Sequence, residues 1–343
     1  MATMMRAMFY MEPGKIELRE MPVPRPNPGE VVLRVRAATT CGTDVKTYLR
    51  GHLKIAPGSP FGHEMAGDVV TVGEGVERFR TGMRVTPHNT APCGFCYYCR
   101  HEQANLCENM TYNFGAYAEY ARVPAAIVRQ NMYEIPDNVS YAEAAVIEPL
   151  STVIHGQDLI MIQPDESVAI YGAGPIGLMH LQLALRRGAG EVTIVDNLTS
   201  RLEVARQLGA THIINFDQQE PIQVIKDLTM GRGADVTIEC TGKKQGWINA
   251  LSSVRMGGRV LWFGGLAGGT SMELDSQFVH YGEITIHGIY HSTPATVYKA
   301  YRYIVDRIVN TKILITKEYP LEDLLDAFKA MQDGRIVKAA IIP

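Results

Sequence analysis

The chain of 343 residues is long for a single hydrophobic core and fits two domains. Its 46% hydrophobic and 20% charged residues describe an ordinary globular protein and exclude a disordered or fibrous one. A net charge of −3, with no basic stretch and no acidic tail, removes the electrostatic footprint expected of a nucleic-acid binder.

The opening MATMMRAMFYMEPGK lacks the apolar core and small-residue cleavage site of a signal peptide, so a cytoplasmic protein is expected. Up to about residue 150 the chain is rich in proline, glycine and short β-branched runs. VVLRVRAAT (31–39), AGDVVTVG (66–73) and AEYARV (118–123) read as strands separated by turns, which suggests a β-rich, barrel-like domain. The character changes near Tyr141. AEAAVIEPLSTVIHG (142–156) reads as a helix strained by Pro149.

From Ser167 strand and helix alternate. SVAIYG, EVTIVD, THIINF, ADVTIECTG, GGRVLWFGG and ITIHGIY make six strands, the count of a doubly wound parallel sheet. GGRVLWFGG is expected near the end of the sheet, where an edge pairs across a two-fold axis. Beyond about Thr293 come two helices and a last strand, RIVKAAIIP, which is expected to return to the first domain. VAIYGAGPIGLMHLQLAL (168–185) is apolar, but its glycines, proline, histidine and glutamine fit a strand, a turn and a buried helix better than a membrane span.

Gly172-Ala173-Gly174-Pro175-Ile176-Gly177 fits G-x-G-x-x-G between an apolar strand and a helix. The first glycine permits a tight turn, the second lets the backbone approach a pyrophosphate, and the third lets helix and strand pack closely. Pro175 suits the first helical turn, and the helix N-terminus offers free N–H groups to phosphate. Asp196 ends the next strand, nineteen residues past Gly177, where a carboxylate binds both ribose hydroxyls and repels a 2′-phosphate. This favours NAD over NADP. Arg201 complicates that preference, since it can pair a phosphate or stack on adenine.

Six cysteines are present, and Cys93, Cys96, Cys99 and Cys107 fall within fifteen residues as C-x2-C-x2-C-x7-C. Four thiolates at that spacing can close a tetrahedral zinc site with no open position, so its role would be structural. An iron–sulfur cluster and redox thiols are the alternatives. Cys41 lies outside this lobe. His63 follows it by 22 residues, beside Glu64, and Glu148 precedes Pro149. A thiolate, an imidazole and a carboxylate can bind zinc and leave one position for water or substrate. Taken singly, each has a plain reading as core or surface. Cys240 reads as packing near the cofactor, and the remaining histidines as structural or exposed.

In combination these pieces resemble the zinc-dependent medium-chain dehydrogenase/reductase family, the alcohol dehydrogenase superfamily, and within it the sorbitol, polyol and threonine dehydrogenase branch. The residues that carry the resemblance are C-G-T-D (41–44), G-H-E (62–64), G-D-V-V-x-V-G (67–73), the four-cysteine lobe, E-P-L-S-T (148–152), G-A-G-P-I-G (172–177) and E-C-T-G (239–242). The resemblance implies a GroES-like β-barrel catalytic domain over residues 1–152, with 290–343 returning to it and a structural zinc lobe at 90–110. It implies a Rossmann NAD-binding domain, a doubly wound parallel sheet, over 153–289.

The resemblance further implies two zinc ions per chain. One is catalytic, held by Cys41 and His63 with Glu64 as a direct or switching ligand. Glu148 stands where other branches place a second cysteine and is a candidate ligand beside Glu64; either binds the ion directly or through water. The other is structural, held by Cys93, Cys96, Cys99 and Cys107. Thr43 matches the hydroxyl of the family's proton relay. The family often has C-G-[ST]-D-x-H, and this chain has Lys46 at the histidine position, so Lys46 or His52 is the candidate for the next relay member. Asp44 is a candidate support for a zinc ligand. Gly264, Leu266, Ile289 and Tyr290 resemble the nicotinamide-side loops.

The implied activity is hydride transfer between NAD and a secondary alcohol, polyol or sugar. L-Threonine 3-dehydrogenase is the alternative. A non-enzymatic NAD-binding protein on the same scaffold would be marked by loss of Cys41, Thr43 or His63, and all three are present. The expected partners are a small-molecule substrate and further copies of the chain, as a tetramer first and a dimer second, with no nucleic acid and no membrane.

Overall fold

The structure, a computed structural model, describes residues 3–343. The chain divides into two compact units, Met1–Ser151 with Ser292–Pro343, and Thr152–His291. No helix among the described residues is long and apolar enough to cross a membrane.

The first unit is built on a mixed sheet with Val31–Thr39 at its centre. Arg34 and Arg36 are the exposed positions of that strand and the rest is buried, so the chain alternates where one face meets water and is apolar where both are covered. Met65–Val72 pairs antiparallel on one side, with Ala38 opposite Met65. Lys338–Ile342 pairs antiparallel on the other, with Ala340 opposite Thr39 and Ile341 opposite Ala38. Thus the end of the central strand meets the beginnings of two neighbours drawn from distant parts of the sequence. Phe61, Tyr117 and Phe328 pack edge to face beneath that end, with ring centroids 5.7–6.3 Å apart.

The returning tail holds helices Pro294–Val305 and Leu324–Gln332 and the strand Lys338–Ile342. It also holds a strand at Ile315–Pro320, which its polar exposed face hid from pattern reading. Pro149 does not strain a helix. The segment forms two helices, Tyr141–Ala145 and Ile147–Ile160, so Pro149 falls in the first turn of the second, where its missing N–H has no intrahelical partner to lose.

The second unit is a six-stranded parallel sheet in the order His212–Asn215, Glu191–Asp196, Ser167–Tyr171, Ala234–Glu239, Val254–Trp262, Thr285–Gly288. Counted along the chain this is 3-2-1-4-5-6, the doubly wound order, with its switch point between the first and fourth strands. Val254–Trp262 is not the edge: Thr285–Gly288 pairs outside it. Its apolar run reflects burial between two neighbours, whereas the edge strand is short and part-exposed.

Candidate active site and metal centres

Two groups of metal-ligating side chains occur among the described residues: Cys93, Cys96, Cys99 and Cys107, and Cys41, His63 and Glu64. Within each group the donor atoms all lie within 4.8 Å of one another.

The four-cysteine group is local. It is carried by a turn, the short helix Tyr97–Arg100 and the single turn Ala104–Leu106, above a two-stranded ribbon of Thr90–Ala91 and Thr111–Tyr112. Cys93 Sγ lies 4.0 Å from Cys99 Sγ, and Cys96 Sγ 3.9 Å from Cys107 Sγ. Sulfurs on a tetrahedral zinc at about 2.3 Å stand roughly 3.8 Å apart, so the group fits that ion. Backbone N–H groups already point at sulfur: Cys96 N donates to Cys93 Sγ at 3.4 Å and Cys93 N to Cys107 Sγ at 3.2 Å. Burial pushes the Cys93 thiol up, but N–H donors of Phe95 and Cys96 outweigh it and bring it down to about 6. Burial and the neighbouring sulfurs push Cys99 up to about 12. One thiolate in the cluster makes the next harder to form, which is the electrostatic state a cation relieves.

The second group is assembled across the sheet. Cys41 follows the central strand and caps helix Gly42–Arg50, its Sγ accepting from Thr43 N at 3.4 Å. His63 and Glu64 precede the antiparallel neighbour, and the ladder runs on to them through Thr39 N donating to Glu64 O at 3.1 Å. Gly62 sets their course. It lies at φ +90°, and a Cβ there would meet the Tyr117 ring at 2.5 Å, so only glycine serves. His63 is 5% exposed and Glu64 1%.

Asp44, fully buried, meets His63 Nδ1 through Oδ1 at 2.9 Å and accepts from Cys41 N at 3.2 Å through Oδ2. An N–H given to Asp44 from Nδ1 leaves His63 Nε2 as the free donor atom toward the cluster. Burial disfavours a charge on His63, but Asp44 and Cys41 outweigh it and raise its pKa. Burial and then Glu64 push the Cys41 thiol up.

Two residues of this region had no sequence motif to announce them. Lys338, 1% exposed, is level with Cys41 by strand register, and its Nζ reaches Glu64 Oε2 at 2.6 Å and Thr40 O at 2.7 Å. The one available signal was a lysine in the otherwise apolar VKAAII, which cannot be buried without a partner. Thr39 Oγ1 also donates to Glu64 Oε2. Glu64 Oε1, by contrast, is buried with no hydrogen-bond partner. A carboxylate held firmly by one oxygen, with the other buried and unmatched, in a group with a thiol and an imidazole, fits a metal ion.

Glu148 lies just outside this group, its Oε2 4.0 Å from His63 Nε2. Burial pushes its carboxyl up to about 7, against the pull of His63. Thr43 is exposed at the start of its helix, with half-buried Lys46 one turn on. His52 follows that helix, its Nδ1 accepting from Lys54 N at 3.1 Å, and burial and then the charge of His63 push its pKa down. His88 is fully buried, with Ser151 and Ser292 at 3.2 and 3.1 Å from Nε2.

In the second unit, Gly172 closes the turn at φ +105°, Gly174 caps helix Pro175–Arg186, and Ile176 follows Pro175 in its first turn. A Cβ on Gly177 would stand 1.8 Å from Gly172 O, whereas one on Gly174 would meet nothing within 4 Å. The third glycine is therefore needed for packing, and the second faces open space where a phosphate can approach. Asp196 accepts from Ala173 N at 2.7 Å and Leu198 N at 2.9 Å, which fixes the glycine loop and its own carboxylate together. Arg201 lies close to Asp196; burial lowers its pKa and Asp196 opposes that. Gly264 packs so tightly that a Cβ would stand 2.3 Å from Gly242 N, and Glu239 O accepts from Gly264 N at 2.9 Å. Leu266 lies half-buried in the following loop. Ile289 packs against Gly156, and Tyr290 is exposed beyond the edge strand. Burial and then the charge of Glu239 push the Cys240 thiol well above its ordinary value.

Residues 27–137 match the model of the alcohol dehydrogenase GroES-like domain, and residues 175–306 that of the zinc-binding dehydrogenases. A sorbitol dehydrogenase of Bacillus subtilis is 36% identical over 99% of this chain and 97% of its own length. The chain belongs to the zinc-dependent medium-chain dehydrogenase family. Another member of the family, an L-threonine 3-dehydrogenase of Pyrococcus horikoshii, is 32% identical over 100% of this chain and 99% of its own. Among solved medium-chain dehydrogenases, a Sinorhizobium meliloti protein bound to NADP superimposes with a TM-score of 0.92 at 28% identity, covering 99% of this chain and 100% of its own. The 2R,3R-butanediol dehydrogenase of B. subtilis does so with a TM-score of 0.87 at 25% identity, covering 99% of each chain. The protein is a dehydrogenase that uses zinc and a nicotinamide cofactor.

Proposed function

We propose that this dehydrogenase interconverts a secondary alcohol, polyol or sugar with its ketone, using NAD and two zinc ions per chain. The observation that supports the catalytic centre most is the close group of part-exposed Cys41 with buried His63 and Glu64, in which Glu64 Oε1 is buried and unpartnered. These three residues would hold the catalytic ion, with Glu148 beside them as an exchanging ligand. The four cysteines 93, 96, 99 and 107 would hold the structural one. When bound, zinc supplies Lewis acidity toward the substrate oxygen, and the nicotinamide accepts or returns hydride.

The chain's own residues do the rest. Asp44 fixes the tautomer of His63. Thr43 carries the substrate proton toward solvent from the exposed helix start, with Lys46 or His52 as the next acceptor. Gly172, Gly174 and Gly177 admit the pyrophosphate at the helix that opens with Pro175 and Ile176. Asp196 takes the ribose hydroxyls, and its charge disfavours a 2′-phosphate; Arg201 lies against the adenosine side. Gly264, Leu266, Ile289 and Tyr290 border the nicotinamide. A carboxylate-bearing zinc site is more polar than one with two cysteines, which suits polyhydroxy substrates, as does the similarity to a sorbitol dehydrogenase. The similarity to L-threonine 3-dehydrogenases supports threonine as the second reading. A cytoplasmic homotetramer completes the reading.

The test is NADH absorbance over a panel of secondary alcohols, polyols, sugars and threonine, with zinc counted in wild type and Cys41→Ser. Activity on the polyols, lost together with one of two zinc ions in the variant, supports the proposal. Activity confined to threonine selects the second reading. No activity on any class, or unchanged activity in the variant, overturns the assignment.

A further inference from the structure

We infer that the phenolic hydroxyl of Tyr117 is a positioning group for the Cys41–His63–Glu64 centre, acting through Asp44. The inference rests on the proposal that this centre holds a metal ion.

Tyr117 is fully buried. Its ring has little freedom: it fills the space left by the missing side chain of Gly62 and packs edge to face on Phe61 and Phe328. At the end of that fixed ring, the hydroxyl lies 2.6 Å from Asp44 Oδ2 and 3.2 Å from Thr39 O. A phenol has one hydrogen to donate, and the carboxylate is the nearer and stronger acceptor. Asp44 Oδ1 meets His63 Nδ1 at 2.9 Å. The hydroxyl, Asp44 and His63 thus form one chain of contacts that ends at the donor atom His63 offers to the centre.

Asp44 is itself fully buried, so each missing donor changes what holds it. Without the hydroxyl, Oδ2 keeps only the longer bond from Cys41 N at 3.2 Å. That bond comes from Cys41, the N-cap of the helix whose first turn holds Asp44, and it tolerates rotation of the carboxylate. The ring alone therefore shapes the path of Gly62–Glu64, while the hydroxyl sets the angle of the imidazole. These are separable roles in one side chain, and packing in a phenylalanine would keep only the first.

Tyr117→Phe isolates the hydroxyl, and Phe328→Leu disturbs the same ring cluster without touching it. In the full-length zinc-loaded protein, zinc release is followed by chelator competition, with Cys41→Ser marking which ion belongs to the lobe. The expected result is that Tyr117→Phe weakens the Cys41-dependent zinc about ten-fold and leaves the lobe zinc unchanged, since removing such outer partners typically costs ten- to a hundred-fold in metal affinity. In cobalt-substituted protein its visible bands shift. Phe328→Leu lowers the melting temperature and moves neither readout. Wild-type zinc affinity and cobalt bands in Tyr117→Phe overturn the inference. So does an equal zinc loss in Phe328→Leu, which assigns the effect to packing. If wild type binds one zinc that Cys41→Ser retains, the metal centre at Cys41 fails, and this inference with it.

Discussion

The two candidate metal centres are built in opposite ways. The cysteine lobe draws its four donors from fifteen consecutive residues and leaves three of them part-exposed. Turns and backbone N–H groups arrange the sulfurs, so the site asks little of the rest of the fold. The Cys41–His63–Glu64 centre has fewer donors, all held by long-range order: Cys41 at one strand end, His63 and Glu64 at the next, Asp44 and Tyr117 behind the imidazole, Lys338 behind the carboxylate. A closed set of four thiols stabilises a loop. An open set of three mixed donors, two of them buried and braced from behind, leaves room for chemistry. Bracing from behind, more than the identity of the ligands, distinguishes the two groups and supports the proposed division into a structural and a catalytic site.

Breaking each centre should separate activity from stability. Cys41→Ser should reduce kcat by about a thousand-fold or more, since Lewis-acid assistance is worth several kcal/mol and each 1.4 kcal/mol is a factor of ten. Its melting temperature should change by only a few degrees. A steady-state assay beside a thermal melt checks both, and comparable losses in the two would erase the distinction.

Lys338→Met should destabilise the protein by roughly 3–5 kcal/mol, because it strands the buried Glu64 carboxylate without its cation. The loss should be larger in chelator-treated protein than in zinc-loaded protein, where the ion compensates the charge. Chemical denaturation in both states tests this, and equal losses would place Glu64 away from the metal. Cys107→Ser should cost about 3 kcal/mol, or roughly 10 °C in melting temperature, since zinc binding to the lobe is also folding free energy. The kcat of its folded fraction should stay within a few-fold of wild type. Thr39→Val is the mildest change. It removes one of the two donors to Glu64 Oε2 and should cost about 1–2 kcal/mol, with zinc content retained. A loss as large as that of Lys338→Met would show that the hydroxyl, not the ammonium, holds the carboxylate.

Much of this molecule is legible in its sequence wherever the chemistry is local. Strand, glycine turn, proline-led helix and the acid at Asp196 lie in one short unit, and each residue type answers a steric or electrostatic need of its neighbours. The cysteine spacing likewise carries its own geometry. The resemblance added Cys41, His63, Glu64 and Glu148 as a set, which no spacing rule supplies. Gly62 could be read as part of a motif, but its necessity comes from a ring 55 residues away. GGRVLWFGG, expected near the end of the parallel sheet, stands one strand in from it; an apolar run reports burial on both faces, and burial does not reveal which strand comes last.

What the sequence determined by itself is therefore the pair of local devices, the glycine loop and the four-cysteine lobe, together with the alternation that makes a doubly wound sheet. Only the tertiary structure decided that Lys338 meets Glu64, that Tyr117 meets Asp44, and that Glu64 gives one oxygen to its partners and keeps the other buried and unpaired. Those contacts join residues up to 274 positions apart. The Lys338–Glu64 contact exists because Ala340 stands opposite Thr39 and Met65 opposite Ala38. A strand's register is a collective outcome of its pairing and burial, and a shift of one residue in the last strand would turn Lys338 to the other face.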